Sequence, residues 1–150
     1  MNYPRTGVTS GSTPKLILLA PVRMAVPSQF SRVECDEFRY QDLLRRMQRL
    51  RGSVYLADGA IEESRLQSDG RHVVAADSMA WHLLAVDGED SVVACARYTQ
   101  WGPSVPYNSL SVGQSALAQD PVWGRRLRIA VHQKMAEAHA QRRNFVEVGG

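Results

Sequence analysis

The feature that most constrains the fold is a β-hairpin. Residues 81–86 and 91–98 are two runs rich in β-branched and aromatic side chains, joined by Asp87-Gly88-Glu89-Asp90. Asp-Gly opening a short link between two such runs predicts antiparallel pairing with a tight turn. Trp81, Leu83 and Ala85 fall on one face of the first strand, and His82, Leu84 and Val86 on the other. Both faces are largely apolar, so the hairpin is expected to be covered on both sides. Hence helices must exist to cover it.

Two helical patterns are available. Asp36 is a suitable N-cap, Glu37 suits the first turn, and Leu43, Leu44, Met47, Leu50 and Val54 recur at helical spacing. Gly52 interrupts that pattern and Asp58-Gly59 ends it, predicting a helix that bends or restarts before finishing near Ala57. The second pattern opens at Asp120-Pro121 and carries Leu127, Ala130, Val131, Met135 and Ala138 on one stripe. Arg142, Arg143 and Asn144 close it, and residues 145–150 begin a strand.

Upstream of the first helix, residues 30–35 alternate weakly enough to form a first strand. The apolar run 15–26 is broken by Pro21 and ended by Pro27, so it supplies at most an edge strand or a docked extended segment. Residues 1–14 have the composition of a flexible arm, and the domain division read from the sequence is an arm over 1–29 and one domain over 30–150. The link 62–72 is polar and reads as a mobile surface loop, and 101–113, with two prolines and two glycines, as a connecting loop.

Composition narrows the functions. The five-residue apolar run 16–20 is too short for a signal peptide or a membrane span, which argues for a cytoplasmic protein. The net charge of +3 comes from arginine, because Lys15 and Lys134 are the only lysines. That suits an anionic small ligand, yet it is too mild to argue for nucleic acid. Cys35 and Cys95 have no CxxC spacing and read as two buried free thiols. His132 and His139 are too far apart on one helix to chelate an ion together, and no His-x-x-x-His occurs, so no metal site is expected.

The order strand, helix, loop, hairpin, loop, helix, strand resembles the N-terminal half of GNAT-superfamily acyltransferases. The nearest branch holds the acyl-homoserine-lactone (autoinducer) synthases and N-acyl amino acid synthases. The likeness rests on Arg49-Leu50-Arg51-Gly52-Ser53-Val54-Tyr55, on Asp77 before the hairpin, on residues 91–98 ending Arg97-Tyr98, and on Phe145-Val146-Glu147-Val148-Gly149-Gly150 as the start of a central strand. It implies an α/β (α+β) fold with a mixed, mainly antiparallel sheet flanked by helices.

The same resemblance implies transfer of an acyl group from acyl-CoA, acetyl-CoA or an acyl carrier protein to a small-molecule amine. Glu147 would be the base or water-orienting residue, and Arg51, Tyr55, Asp77 and Arg97 would shape the substrate site. The superfamily's Gln/Arg-x-x-Gly-x-Gly/Ala pyrophosphate loop is not found in these residues, since Gln67-Ser68-Asp69-Gly70-Arg71-His72 lacks the final small residue and a preceding strand. The expectation is therefore a fold incomplete at its C-terminus, inactive alone, or completed by a second chain or a homo-oligomer. Two other readings stay open. Glu147 can be a solvated or ion-paired strand residue, and the arginine–aspartate set a structural salt-bridge network. The basic helices, with Arg45, Arg46, Arg49, Arg51, Arg125, Arg126 and Arg128, can belong to a non-catalytic interaction module that binds a partner protein or nucleic acid.

Overall fold

The computed structural model describes residues 13–149. Four strands, β1 (Lys15–Leu19), β2 (Trp81–Val86), β3 (Val92–Trp101) and β4 (Phe145–Gly149), form one sheet in the order β1-β2-β3-β4, antiparallel throughout. With helices α1 (Glu37–Ala57), α2 (Ala116–Gln119) and α3 (Trp123–Ala140), this is an α+β fold.

The hairpin forms as its turn chemistry predicts. The Asp87 carboxylate accepts from the backbone N–H groups of Glu89 and Ser91 at 2.9 Å each, which fixes the turn. A bulge shifts the register beside it, because Ala85 pairs with Ala94 while Val86 pairs with Val92. The extra residue, Val93, puts Val92 opposite Val86 on the face that Leu84 and His82 share with Cys95, Arg97, Thr99 and Trp101.

Cross-strand pairing sorts the sheet into two unlike faces. One carries Ile17, Leu19, His82, Leu84, Val86, Cys95, Arg97, Thr99, Trp101, Phe145 and Glu147, and both long helices lie on it. Leu43 and Met47 of α1 close over Leu19, Leu84, Val86 and Val92. Leu127, Val131 and Met135 of α3, with Tyr107 and Leu110 of the preceding loop, close over Trp101 and Phe145. The core is thus two apolar clusters side by side with a polar seam between them. The opposite face is largely uncovered by the described residues: Leu16, Leu83, Tyr98 and Val148 are 45%, 44%, 39% and 74% exposed. Coverage on both sides, expected from the apolar alternation, is corrected to coverage on one.

The helix ends follow the sequence. Asp36 caps α1 by accepting from the Arg39 N–H at 2.8 Å, and Asp120 accepts from the N–H groups of Val122 and Trp123 at the start of α3. The restart expected at Gly52 is absent, for α1 runs as one helix over 21 residues. Gly52 serves close approach instead: a Cβ there would lie 2.4 Å from the Gly70 carbonyl oxygen. The link 62–72 is accordingly docked on α1, with the His72 N–H donating to the Gln48 carbonyl at 3.0 Å.

Three boundaries move. Residues 30–35 form only a single bridge, Val33 to Leu18, whereas Lys15–Leu19 is a true edge strand. The division at residue 29 is corrected in consequence, because Leu19 is wholly buried in the core and belongs to the domain. Residues 1–12 of the proposed arm, and Gly150, lie outside the described residues. Lastly β4, expected to be central, pairs only with β3 and is an edge among the described residues. Nor are both thiols buried, since Cys35 is exposed and Cys95 half-buried.

Candidate functional site

The polar seam is assembled around Asp77, in a 3-10 turn (Ala75–Ser78) just before β2. Arg51 reaches it from α1 and binds both carboxylate oxygens, Nη1 to Oδ1 at 2.8 Å and Nη2 to Oδ2 at 2.7 Å. Both side chains are about 95% buried, being 4% and 5% exposed. Gln48, one turn earlier on α1, donates to Oδ2 at 3.0 Å, and the Val74 N–H donates to the same oxygen at 3.2 Å. Burial opposes ionisation of Asp77, but the Arg51 guanidinium and these donors outweigh it and hold the carboxyl below its ordinary value. Arg51 also donates to the His72 carbonyl, tying the 62–72 link to the same point.

His82, on β2, lies beneath this pair. Its Nε2 is 2.9 Å from the Asp77 backbone carbonyl, and a carbonyl only accepts, so Nε2 carries the proton. Burial pushes its pKa down, and the nearby Arg51 and Arg97 add to that, against the opposing pull of Asp77. His82 is therefore neutral. His72 is lowered as well, by burial first and then by Arg51, Arg65 and Arg97. Tyr55 sits one turn beyond Arg51 and packs on the His72 ring at 5.6 Å between centroids.

Arg97 is the next residue along the seam, opposite His82 on one side and Gly149 on the other. Its guanidinium lies over Gly149, where a Cβ would come within 3.8 Å of Nη2. It is half-buried, and it enters none of the ion pairs formed among the described residues. It lines a cleft of about 340 Å³ with Glu147, Ser111 and the apolar Val112, Val131 and Phe145.

Glu147 forms the cleft floor, but its carboxylate is engaged. Oε2 accepts from the Trp101 indole at 2.8 Å and from the Ser111 N–H at 3.1 Å, and Oε1 accepts from the Val112 N–H at 3.0 Å. Glu147 thereby pins the loop before α2 onto the sheet. To take a proton from a substrate it would have to release one of these donors.

Of the sequence-predicted residues, the fold brings Arg51 and Asp77 into direct contact, sets Tyr55 against the adjacent His72, and places Arg97 and Glu147 together on the neighbouring cleft. For Arg51 and Asp77 the contact is the buried salt bridge that the rival reading described. Gln48, His82 and Trp101 complete the seam and were not singled out. Gln48 falls three residues before Arg51 on one helical face, and His82 is the lone polar residue on the inward face of β2, so both left a signal in the sequence. Nothing local marked Trp101.

A larger groove of about 540 Å³ runs beside β1 past Lys15, Arg32, Glu34 and Arg39. Arg39 is already paired there with Glu34 at 3.1 Å and with Asp90 at 3.2 Å. Among the described residues no three His, Cys, Asp or Glu side chains converge as a metal would require, and no helix is long and apolar enough to cross a membrane. Fold and site together define an α+β domain with a polar seam opening into an amphipathic cleft. Neither a family model, nor a curated protein, nor a solved structure matches the chain.

Proposed function

We propose that the domain serves acyl transfer to an amine in the manner of a GNAT-type N-acyltransferase, with the Arg97 cleft as the site for the acceptor and its acyl product. The observation that carries the reading is the half-buried guanidinium of Arg97, in no ion pair among the described residues, lining a cleft whose apolar walls include Val112, Val131 and Phe145. An arginine so placed suits a carboxylate or carbonyl oxygen, and the apolar walls suit a hydrocarbon chain. Transfer moves the acyl carbon from the thioester sulfur to the amine nitrogen, and the amine must lose a proton on the way. Glu147 is the carboxylate nearest that task. It would act directly or through a water, after giving up one of its three donors.

The donor side of the reaction is not built from the described residues. A pyrophosphate needs free N–H groups at a helix N-terminus. At α3 those of Val122 and Trp123 are taken by Asp120, and Gly124 is packed against the Ala118 carbonyl. Acyl-CoA binding is thus not assigned to these residues, and an acyl carrier protein as donor remains part of the proposal only through the exposed arginines of α3.

Those arginines also favour the second reading, a partner-binding module. Arg125, Arg126 and Arg128 are exposed on the first turns of α3, with Arg126 over the Trp123 ring at 5.0 Å and Arg128 over Tyr107 at 5.1 Å.

Thermal unfolding with N-octanoyl amino acids, free amino acids and octylamine decides between them. Acyl-transfer chemistry predicts stabilisation by the N-acyl amino acid, amounting to about 2.7 kcal/mol at a hundredfold excess over its dissociation constant, and its loss in Arg97→Ala. No response to any of the three, or an unchanged response in Arg97→Ala, would sink the acyl-transfer reading.

A further inference from the structure

The bare face of the sheet points to self-association. Besides Leu16, Leu83, Tyr98 and Val148 it carries Leu18, Trp81, Ala85, Ala94, Ala96, Gln100 and Val146, with Phe30 packed on Trp81 at 5.3 Å. Among the described residues, no charged side chain of the four strands lies on it. Leu16, Leu83, Tyr98, Val146 and Val148 are each between 37% and 74% exposed, so the apolar patch runs across all four strands, the kind of surface that marks an interaction site.

Charge at the rim identifies the occupant. The β2–β3 turn puts Asp87 and Glu89 at one end of the strands. The opposite end, where β4 begins, carries Arg142 and Arg143, and Arg23 stands beside it, because the neighbouring Val22 N–H is bonded to the Ser78 carbonyl just before β2. A second copy laid face to face, with its strands antiparallel to the first, sets each acidic end over the other's basic end, twice by symmetry. A charge-free centre allows the face to meet itself without burying an unpaired charge. We infer that two copies of this chain pack their bare sheet faces together in antiparallel alignment, as the two sheets of a sandwich. The helices and the Arg97 cleft lie on the outer sides of such a dimer, so this inference stands apart from the acyl-transfer reading.

Sedimentation velocity over the micromolar range tests it, with a set of variants on exposed positions. The expected result is a dimer that Val148→Lys weakens by at least about tenfold, since a charge would be forced into an apolar interface. Circular dichroism on the same samples separates lost association from lost folding, and Val148, 74% exposed, can be changed without touching the core. Glu89→Lys and Arg143→Glu should each weaken the dimer, and the double variant Glu89→Lys/Arg143→Glu should restore it. A monomer throughout the range, a dimer indifferent to Val148→Lys, or a double variant weaker than both singles would overturn the inference.

Discussion

Asp77→Asn should cost this fold about 3–5 kcal/mol, the usual penalty for removing one partner of a buried ion pair. The amide is nearly isosteric, so no cavity opens and the effect is electrostatic. Arg51 would keep its charge at 4% exposure, yet beside the His72 carbonyl it would face one Asp77 acceptor in place of two, with an NH₂ donor where the second carboxylate oxygen stood. Its Nε already lacks a partner among the described residues, which leaves it no alternative. Against a total stability on the order of 5–15 kcal/mol, such a loss lowers the melting temperature by roughly 10 °C or more. Urea unfolding followed by circular dichroism at neutral pH measures it. The double replacement Arg51→Met/Asp77→Leu removes both charges and should lose less than Asp77→Asn alone, because no buried charge is left unpaired even though Gln48, the Val74 N–H and the His72 carbonyl each lose a partner. A loss under about 1 kcal/mol in Asp77→Asn, or a double variant worse than the single by the full sum, would refute the reasoning.

Other expectations follow from the same geometry. His82 has a folded pKa below its ordinary 6.5. Its contribution to stability is therefore complete above that value and is lost as pH falls below it, where the unfolded chain binds the proton first. Unfolding free energy measured from pH 8 to pH 5 should decline across that window, and His82→Gln should flatten the decline. Asp77, whose carboxyl is also held low, adds a second loss at more acid pH, below the ordinary carboxylate range. Gly52→Ala should destabilise by about 1–3 kcal/mol, since its Cβ would meet the Gly70 carbonyl and push the 62–72 link off α1; limited proteolysis should then cut in that link. Glu147→Ala should cost about 2–3 kcal/mol through three lost hydrogen bonds to one half-buried carboxylate, and should shift the Trp101 fluorescence as the indole loses its acceptor.

Elements whose cause is local were legible in the sequence. Asp36 and Asp120 announce the two helices through their own capping bonds, and Asp87 fixes the hairpin turn. Elements whose cause is distant were not. Gly52 looks like a break until Gly70 is placed against it, and Leu16–Leu19 looks like an arm until β2 offers it an edge. The bare face illustrates the limit of alternation as a guide. Leu83 and Leu84 are equally apolar, and only the register with β3 and the position of α1 decide that one is buried and the other 44% exposed. In the site, Arg51 and Asp77 could be paired from their chemistry, whereas Glu147, a base or water-orienting residue by resemblance and otherwise a solvated or ion-paired strand residue, is an anchored acceptor once Trp101, Ser111 and Val112 come together around it.

We propose that the seam ends in a cleft where Arg97 receives the oxygen end of an acylated amine. Backbone amide NMR during titration with an N-octanoyl amino acid tests it most directly. The account predicts saturable shifts centred on Arg97, Ser111, Val112 and Glu147, abolished by Arg97→Ala while the spectrum of the free protein stays folded. Shifts confined to the exposed turns of α3, or no saturable shift at all, would contradict it.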